Sequence, residues 1–559
     1  MSEGSTAFDR ARARSRLASE EFDVVVVGGG ITGAGVALDA SARGLRTALV
    51  ERHDFASGTS SRSSKLVHGG LRYLQQREYR LVYENLAERQ RLLVNAPHLV
   101  RPMPFLIPVF GTGGLADRTV ARGYSTALWL YDLAGGLRMG RRHRRISLEE
   151  AQSHLPALRR ELLVAGFVYH DAQADDARLT LAIARTAVLG HGAVVANHTP
   201  VAGLLKDGHG RVRGVRLTGP DGPAADGVFE ARATVVVNAT GVWADEVRSL
   251  DEGDDPGTLR PAKGIHLTVP RDRLRCDMAA VIPVRHDGRS IFVVPWGDRV
   301  YLGTTDTDYD GPLDEPRCTA EDVAYVLGAV NAFLAEPLGE DDVVGAWAGL
   351  RPLVKGASKR TADLSRRHRV TTGPSGMITV TGGKLTTYRR MAAQTVDQVV
   401  AAVGRGARRS PTKTLALLGA GDPSELHAAT TVRFGADPAV GDHLASRYGT
   451  EADAVLAMVA EDADLGRPLV PGLPYLRAEA VYATRHEMAH TLEDVLSRRT
   501  RALLLDGDAS ARAAPDVARL IAPELGWTGR DVERQVAAYL AVVQRERGWL
   551  DLPPVRAEA

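Results

Sequence analysis

Val24-Val25-Val26-Val27 runs directly into Gly28-Gly29-Gly30-Ile31-Thr32-Gly33, and this junction constrains the fold more than any other feature of the 559-residue chain. Four β-branched residues without polar alternation fit a central strand of a parallel sheet, buried on both faces. The strand stops at glycine, and an alanine-rich stretch follows to Arg43, with side chains small enough for a helix to lie close to the sheet. In this setting Gly28 permits the tight turn, Gly30 lets backbone approach a pyrophosphate, and Gly33 permits close helix–strand packing. The helix N-terminus then faces the phosphates. A second strand, Thr47-Ala48-Leu49-Val50, ends in Glu51, placed to accept hydrogen bonds from a ribose. The unit predicts a dinucleotide site but does not separate NAD from FAD, because both carry the same adenosine diphosphate half.

The flanking segments point to flavin. After Glu51 comes the loop Phe55-Ala56-Ser57-Gly58-Thr59-Ser60-Ser61-Arg62-Ser63-Ser64-Lys65, then His68-Gly69-Gly70-Leu71-Arg72-Tyr73. Its small side chains expose N–H groups suited to a pyrophosphate and to the polar edge of an isoalloxazine. Thr234-Val235-Val236-Val237-Asn238-Ala239-Thr240-Gly241 reads as another buried strand running into a small-residue turn. Ile378-Thr379-Val380-Thr381-Gly382-Gly383-Lys384-Leu385-Thr386-Thr387-Tyr388 repeats the pattern, with a cation and hydroxyls opening a helix. A helix N-terminus plus Lys384 favours negative charge on a reduced flavin ring.

Together with Ser63-Ser64-Lys65-Leu66-Val67-His68-Gly69-Gly70-Leu71-Arg72-Tyr73-Leu74 and Gly303-Thr304-Thr305-Asp306, these segments closely resemble the FAD-dependent glycerol-3-phosphate dehydrogenases of the D-amino-acid-oxidase-like flavoprotein group. The resemblance runs from about Phe22 to Asp506. It implies oxidation of sn-glycerol 3-phosphate to dihydroxyacetone phosphate, with electrons passed to a quinone. It also implies that FAD is held by Gly28, Gly30, Ile31, Thr32 and Gly33, by Glu51 and Arg52, and by Thr59, Ser60, Ser61, Lys65, Leu66, His68 and Gly70. Val201, Ala239, Thr240, Gly241, Trp243, Asp306, Gly383, Lys384, Leu385 and Thr386 complete that set. The same resemblance places Arg72, Arg351, Arg366 and Lys384 around the substrate, where arginine forks suit a dianionic phosphate. His266 matches a family histidine on the substrate side and is expected to serve as general base with a near-neutral intrinsic pKa; His68 is the competing base.

The implied fold is α/β, with a discontinuous Rossmann-like FAD-binding domain at 21–95, 160–255 and 345–405. An antiparallel substrate cap is expected at 96–159 and 256–344, roofed by Ile291–Trp296 and Arg299–Asp306. Residues 1–20, with Arg10, Arg12, Arg14 and Arg16, read as a loose basic arm. From 406 to 559 apolar residues at helical spacing, such as Leu444, Tyr448, Val455 and Val459, predict an all-α domain interrupted at Pro471 and Pro474. His486-Glu487-Met488-Ala489-His490 matches the H-E-x-x-H zinc pattern but lacks an evident third ligand, and no metal is expected.

Seventy basic and 68 acidic side chains leave a net charge of +2, so no global signal marks a nucleic-acid binder. Two cysteines without metal or disulfide spacing fit a reducing, cytoplasmic setting. No apolar run reaches the roughly 18 residues of a transmembrane helix. The segment 105–145 nonetheless joins Trp129, Leu130 and Tyr131 to Arg141-Arg142-His143-Arg144-Arg145, a combination suited to peripheral contact with the inner face of the cell membrane. A homodimer is compatible with the sequence. The rival functions are a glycerol-3-phosphate oxidase that makes peroxide and a flavin-binding sensor without turnover.

Overall fold

Burial dictates the centre of the molecule. In the computed structural model, which describes residues 8–75, 78–111, 118–219, 227–284, 289–355, 368–404, 406, 408–434 and 437–548, Glu21–Val27 forms strand β1, with Val24, Val25 and Val26 wholly buried. Burying each such valine contributes about 1.5–3 kcal/mol. β1 pairs in parallel with β2 (Thr47–Val50) on one side and β10 (Val228–Asn238) on the other, with Val25 opposite Ala48 and Val236. The sheet continues through β7 (Val194–Ala196) beyond β2, and through β18 (Ile378–Thr381) and β17 (Arg369–Thr372) beyond β10. An antiparallel extension, β8 (Val201–Lys206) and β9 (Val212–Thr218), joins β10. On one face the helix Ile31–Ala42 packs between the helices Asp176–Leu189 and Tyr388–Val403.

The second sheet has ten strands among the described residues. Its path runs β15 (Thr307–Asp308), β11 (Leu259–Pro270), β14 (Arg299–Gly303), β13 (Ser290–Trp296), β12 (Ala279–Pro283), β4 (Val100–Phe110), β6 (Leu163–Ala174) and β3 (Leu66–Val67). β16 (Gly345–Val354) pairs with β11, and β5 (Arg144–Ile146) with β6. All these pairs are antiparallel except β12 with β4. β13 and β14 are buried on both faces over most of their length, so the polar alternation expected of a half-solvated roof is incomplete.

Three expectations are corrected. Sheet membership moves the domain borders: β6 and β16, assigned by sequence to the FAD-binding segments starting at 160 and 345, belong to the cap sheet. Both are long strands satisfied by full-length antiparallel partners, β4 and β11. The N-terminal arm is not loose over Arg10–Ser19, which is a helix capped by Asp9. Ala13 and Leu17, four residues apart, bury against the first sheet, and Arg14 binds Thr199 Oγ1 and the His198 carbonyl. Tyr131 does not join the exposed aromatic face, since it is buried and donates to Asp171 at 2.6 Å.

The C-terminal helices dock through charge. Arg498 and Arg499 both bind Asp54, the latter bidentately at 2.6 and 2.9 Å, while Arg178 binds Glu487 at 2.7 Å. Asp54 is fully buried, and although burial alone would raise its pKa, the two guanidiniums hold it below the usual carboxylate value. Leu444, Tyr448 and Val455 share one cluster with Leu476, as their spacing predicts. Removing one partner of a buried ion cluster leaves the other uncompensated. Asp54→Asn is therefore expected to cost about 3–5 kcal/mol, read as a fall in denaturation midpoint.

Candidate active site

The C-terminal ends of β1, β2, β10 and β18 open onto a cavity of about 570 Å³, whose opposite wall comes from β11 and β16 of the cap sheet. The wall at the strand ends is a cradle that only glycine allows. Gly28 has φ 110°, and a Cβ there would lie 2.7 Å from the Ala239 carbonyl oxygen; a Cβ on Gly33 would lie 1.9 Å from the Gly28 carbonyl oxygen. The helix Ile31–Ala42 thus starts directly over the strand end, leaving room beside Gly30 for a diphosphate. Glu51 lines the same cavity and accepts from the amides of Gly29 (2.6 Å) and His53 (2.9 Å), which fixes a carboxylate with lone pairs left for a ribose.

The loop after Glu51 lies between the two sheets. Ser60 Oγ accepts from the Ile31 amide at 2.9 Å, and Thr59 Oγ1 donates to the Leu350 carbonyl of β16 at 2.6 Å. At the nucleotide end Arg52 sits 4.6 Å from the Trp243 ring centroid and binds Asp314 of the cap. At the other end Gly382 and Gly383, both left-handed, lead into a 3₁₀ turn at Leu385–Thr387, and Lys384 Nζ stands 3.8 Å from the Tyr73 ring centroid. Thr386 Oγ1 accepts from the His68 amide at 3.3 Å.

His266 sits in β11 between Gly303 and Trp347 of the neighbouring strands. Its ring stacks on Trp347 at 4.8 Å with an interplanar angle of 11°, and its Nε2 lies 2.8 Å from Ser64 Oγ. It is 2% exposed, and Nδ1 finds no hydrogen-bond partner among the described residues. Burial, aided by the charges of Lys65 and Arg351, pushes its pKa well below the intrinsic 6.5 and favours the neutral imidazole. Arg351 lies in the same wall, aimed by Asp306 (3.2 Å), Thr304 Oγ1 (3.2 Å) and the Thr305 carbonyl (3.1 Å).

The cavity brings together Gly28, Gly30, Ile31, Thr32, Glu51, Arg52, Thr59, Ser60, Leu66, His68, Val201, Ala239, Thr240, Gly241, Trp243, His266, Arg351, Gly383, Lys384, Leu385 and Thr386. Gly33, Ser61, Lys65, Gly70 and Asp306 stand behind its wall. Gly33 serves the helix contact, Gly70 packs at left-handed φ against Tyr73, and Asp306 orients Arg351. Lys65 turns inward because a carboxylate waits there. Its ammonium binds Asp176 at 3.1 Å and the Ser61 carbonyl at 2.9 Å, and burial brings its pKa down to about 8. Arg366 and the side chain of Arg72 lie outside the described residues; the Arg72 backbone opens the short helix Arg72–Gln75. Sequence reasoning missed Ser64 and Trp347 as partners of His266, since pairing across strands leaves no local signal. The H-E-x-x-H segment offers no common helix face for its imidazoles: the helix Arg477–His486 ends there, and Glu487 is buried against Arg178.

Residues 23–389 match the FAD dependent oxidoreductase family, and residues 410–532 match the C-terminal domain of alpha-glycerophosphate oxidase. The chain is 45% identical over 542 residues to glycerol-3-phosphate dehydrogenase 2 of Mycobacterium tuberculosis, covering 96% of this chain and 90% of that protein. It belongs to the FAD-dependent glycerol-3-phosphate dehydrogenase family. The human mitochondrial glycerol-3-phosphate dehydrogenase is 39% identical over 555 residues, 95% of this chain and 74% of that one. The crystal structure of the Bacillus halodurans glycerol-3-phosphate dehydrogenase with FAD superposes with a TM-score of 0.79 at 32% identity, covering 98% of this chain and 99% of that one. FAD is the cofactor of this family member, and the glycine cradle fits its diphosphate.

Gly33→Ala should abolish FAD retention, measured as flavin absorbance per protein after gel filtration, because the new methyl group collides with backbone. The depressed pKa of His266 means that the unfolded chain takes up a proton the folded chain refuses, so the stability it contributes is full above pH 6.5 and is lost as pH falls below that value. His266→Gln should accordingly flatten the fall in melting temperature between neutral and acid pH relative to the parent.

Proposed function

We propose that this protein oxidises sn-glycerol 3-phosphate to dihydroxyacetone phosphate and passes the electrons to a membrane quinone. The observation that carries this reading is the convergence of His266–Ser64, Arg351 and Lys384 on the cavity that begins at the dinucleotide cradle. Hydride acceptance from carbon 2 is the chemistry that bound FAD supplies. His266, stacked on Trp347 with Nε2 on Ser64 Oγ, takes the hydroxyl proton as the carbonyl forms. Arg351, already aimed by Asp306, receives phosphate oxygens together with Arg72 and Arg366, and Lys384 stabilises negative charge at the reacting end. A flavin-binding sensor would need no cationic pocket of this kind.

Contact with the membrane is supported by the helix Arg118–Leu133, where Trp129, Leu130 and Leu133 are exposed, and by the exposed Tyr79 and Tyr83 on the helix Tyr79–Asn95. Arg142 lies 5.7 Å from the Trp129 ring and Arg138 4.9 Å from that of Tyr83, so cations edge both apolar parts. Among the described residues no helix is long and apolar enough to cross a membrane.

Anaerobic addition of glycerol 3-phosphate should bleach the bound flavin, and His266→Asn should slow that single turnover by about 100-fold with FAD retained. Absence of bleaching would refute the substrate assignment. Reoxidation by a quinone analogue without peroxide would support the quinone acceptor, whereas rapid peroxide formation would replace it with oxygen. Flotation on anionic liposomes should fail when Arg141, Arg142, Arg144 and Arg145 are changed to glutamine.

A further inference from the structure

The C-terminal helices send Arg501 toward the active site without its entering the cavity. Arg501, 1% exposed, donates from Nη2 to the Ser61 carbonyl (2.6 Å) and to Asp176 (2.9 Å), and from Nη1 to the Ser497 carbonyl (3.1 Å). Lys65 meets it from the other side, with its ammonium on the same carbonyl and the same carboxylate. Both residues adopt left-handed backbone, φ 76° at Arg501 and φ 53° at Lys65, a conformation that side chains with a Cβ rarely take. Strain of this kind persists only where surrounding contacts over-determine it, and here two like charges are also forced together away from water.

The contacts lead from this clasp to the reacting centre. Asp176 accepts from the amide (3.1 Å) and hydroxyl (2.7 Å) of Ser63. The next residue, Ser64, has its carbonyl held by the Tyr301 hydroxyl at 2.9 Å and its own hydroxyl on His266 Nε2 at 2.8 Å. Lys65 in turn lies 4.8 Å from the centroid of the Trp347 ring on which His266 stacks. We propose that Arg501 is a positioning residue for the oxidation, clasping Ser61 and Asp176 with Lys65 so that Ser64 and Trp347 hold the imidazole in its reactive orientation. The helical region is thereby part of the active-site scaffold. This inference rests on the reading of His266 as the base.

The test is stopped-flow flavin reduction by glycerol 3-phosphate in the full-length holoenzyme. Arg501→Met should lower the limiting rate at saturating substrate at least about tenfold, because displacement of a reacting group by ~1 Å costs on the order of 100-fold. FAD content and the half-saturating substrate concentration should stay near the parent values, and Arg501→Lys should recover most of the rate. Ser63→Ala, which unpairs no charge, should slow the step in the same direction by about threefold, within the worth of one hydrogen bond to a charged group. A parent-like limiting rate in Arg501→Met overturns the proposal. If that variant fails to fold or to hold FAD, a parent-like rate in Ser63→Ala overturns it instead, and a slowed rate supports it. His266→Asn run in parallel separates the two readings: a parent-like rate there beside a slow Arg501→Met removes the base but keeps the clasp.

Discussion

Everything in this molecule is arranged around a near-collision of backbone. The position a Cβ would take on Gly33 lies 1.9 Å from the carbonyl oxygen of Gly28, so the helix Ile31–Ala42 sits lower over the end of β1 than any residue with a side chain at this position would allow. That seat puts the helix N-terminus at the end of the parallel strands, between β2 on one side and β10 on the other, where strand order reverses and open α/β sheets bind their ligands. Once this end of the sheet is committed to a dinucleotide, the facing wall of the cavity must come from elsewhere. The cap sheet supplies it through β11 and β16.

The cap wall obtains its chemistry by burial. His266 is closed in by Trp347 and by the glycine at position 303, where a Cβ would lie 2.3 Å from the imidazole Cδ2. Burial and the charges of Lys65 and Arg351 push the pKa of such a histidine well below its usual range. Arg351, in the adjacent strand, is held by Asp306 and by oxygen acceptors from the segment Thr304–Thr305. A histidine and an arginine therefore lie side by side, each held by neighbours from other parts of the chain.

Much of this was legible in the sequence wherever function imposes a local pattern. The run Val24–Gly33 defines its own strand, turn and helix, and Gly382-Gly383-Lys384 defines its turn, because glycine and β-branched residues limit the backbone directly. The surroundings of Lys65 were not legible for an instructive reason: nothing near it in sequence shows that Asp176, 111 positions later, draws its ammonium inward. The stack of His266 on Trp347 and the bond from Ser64 are likewise products of strand register and loop path. The border errors at β6 and β16 share that origin, since a strand's sheet is chosen by its partner. The N-terminal arginines concealed a helix because Ala13 and Leu17 are enough to anchor it.

The carboxylates of Asp54, Asp175 and Asp176 lie in the first two-thirds of the chain, while the guanidiniums that neutralise them, Arg447, Arg498, Arg499 and Arg501, lie in the last third. Neither set is stable in a dry interior alone. In evolutionary terms the two regions form one heritable unit: a recombination that exchanged the helical region for an unrelated one would leave Asp54 and Asp175 without these guanidiniums and Asp176 with Lys65 alone. A lineage carrying this arrangement can lengthen surface loops freely, but it cannot trade one half of the charge pairing without the other.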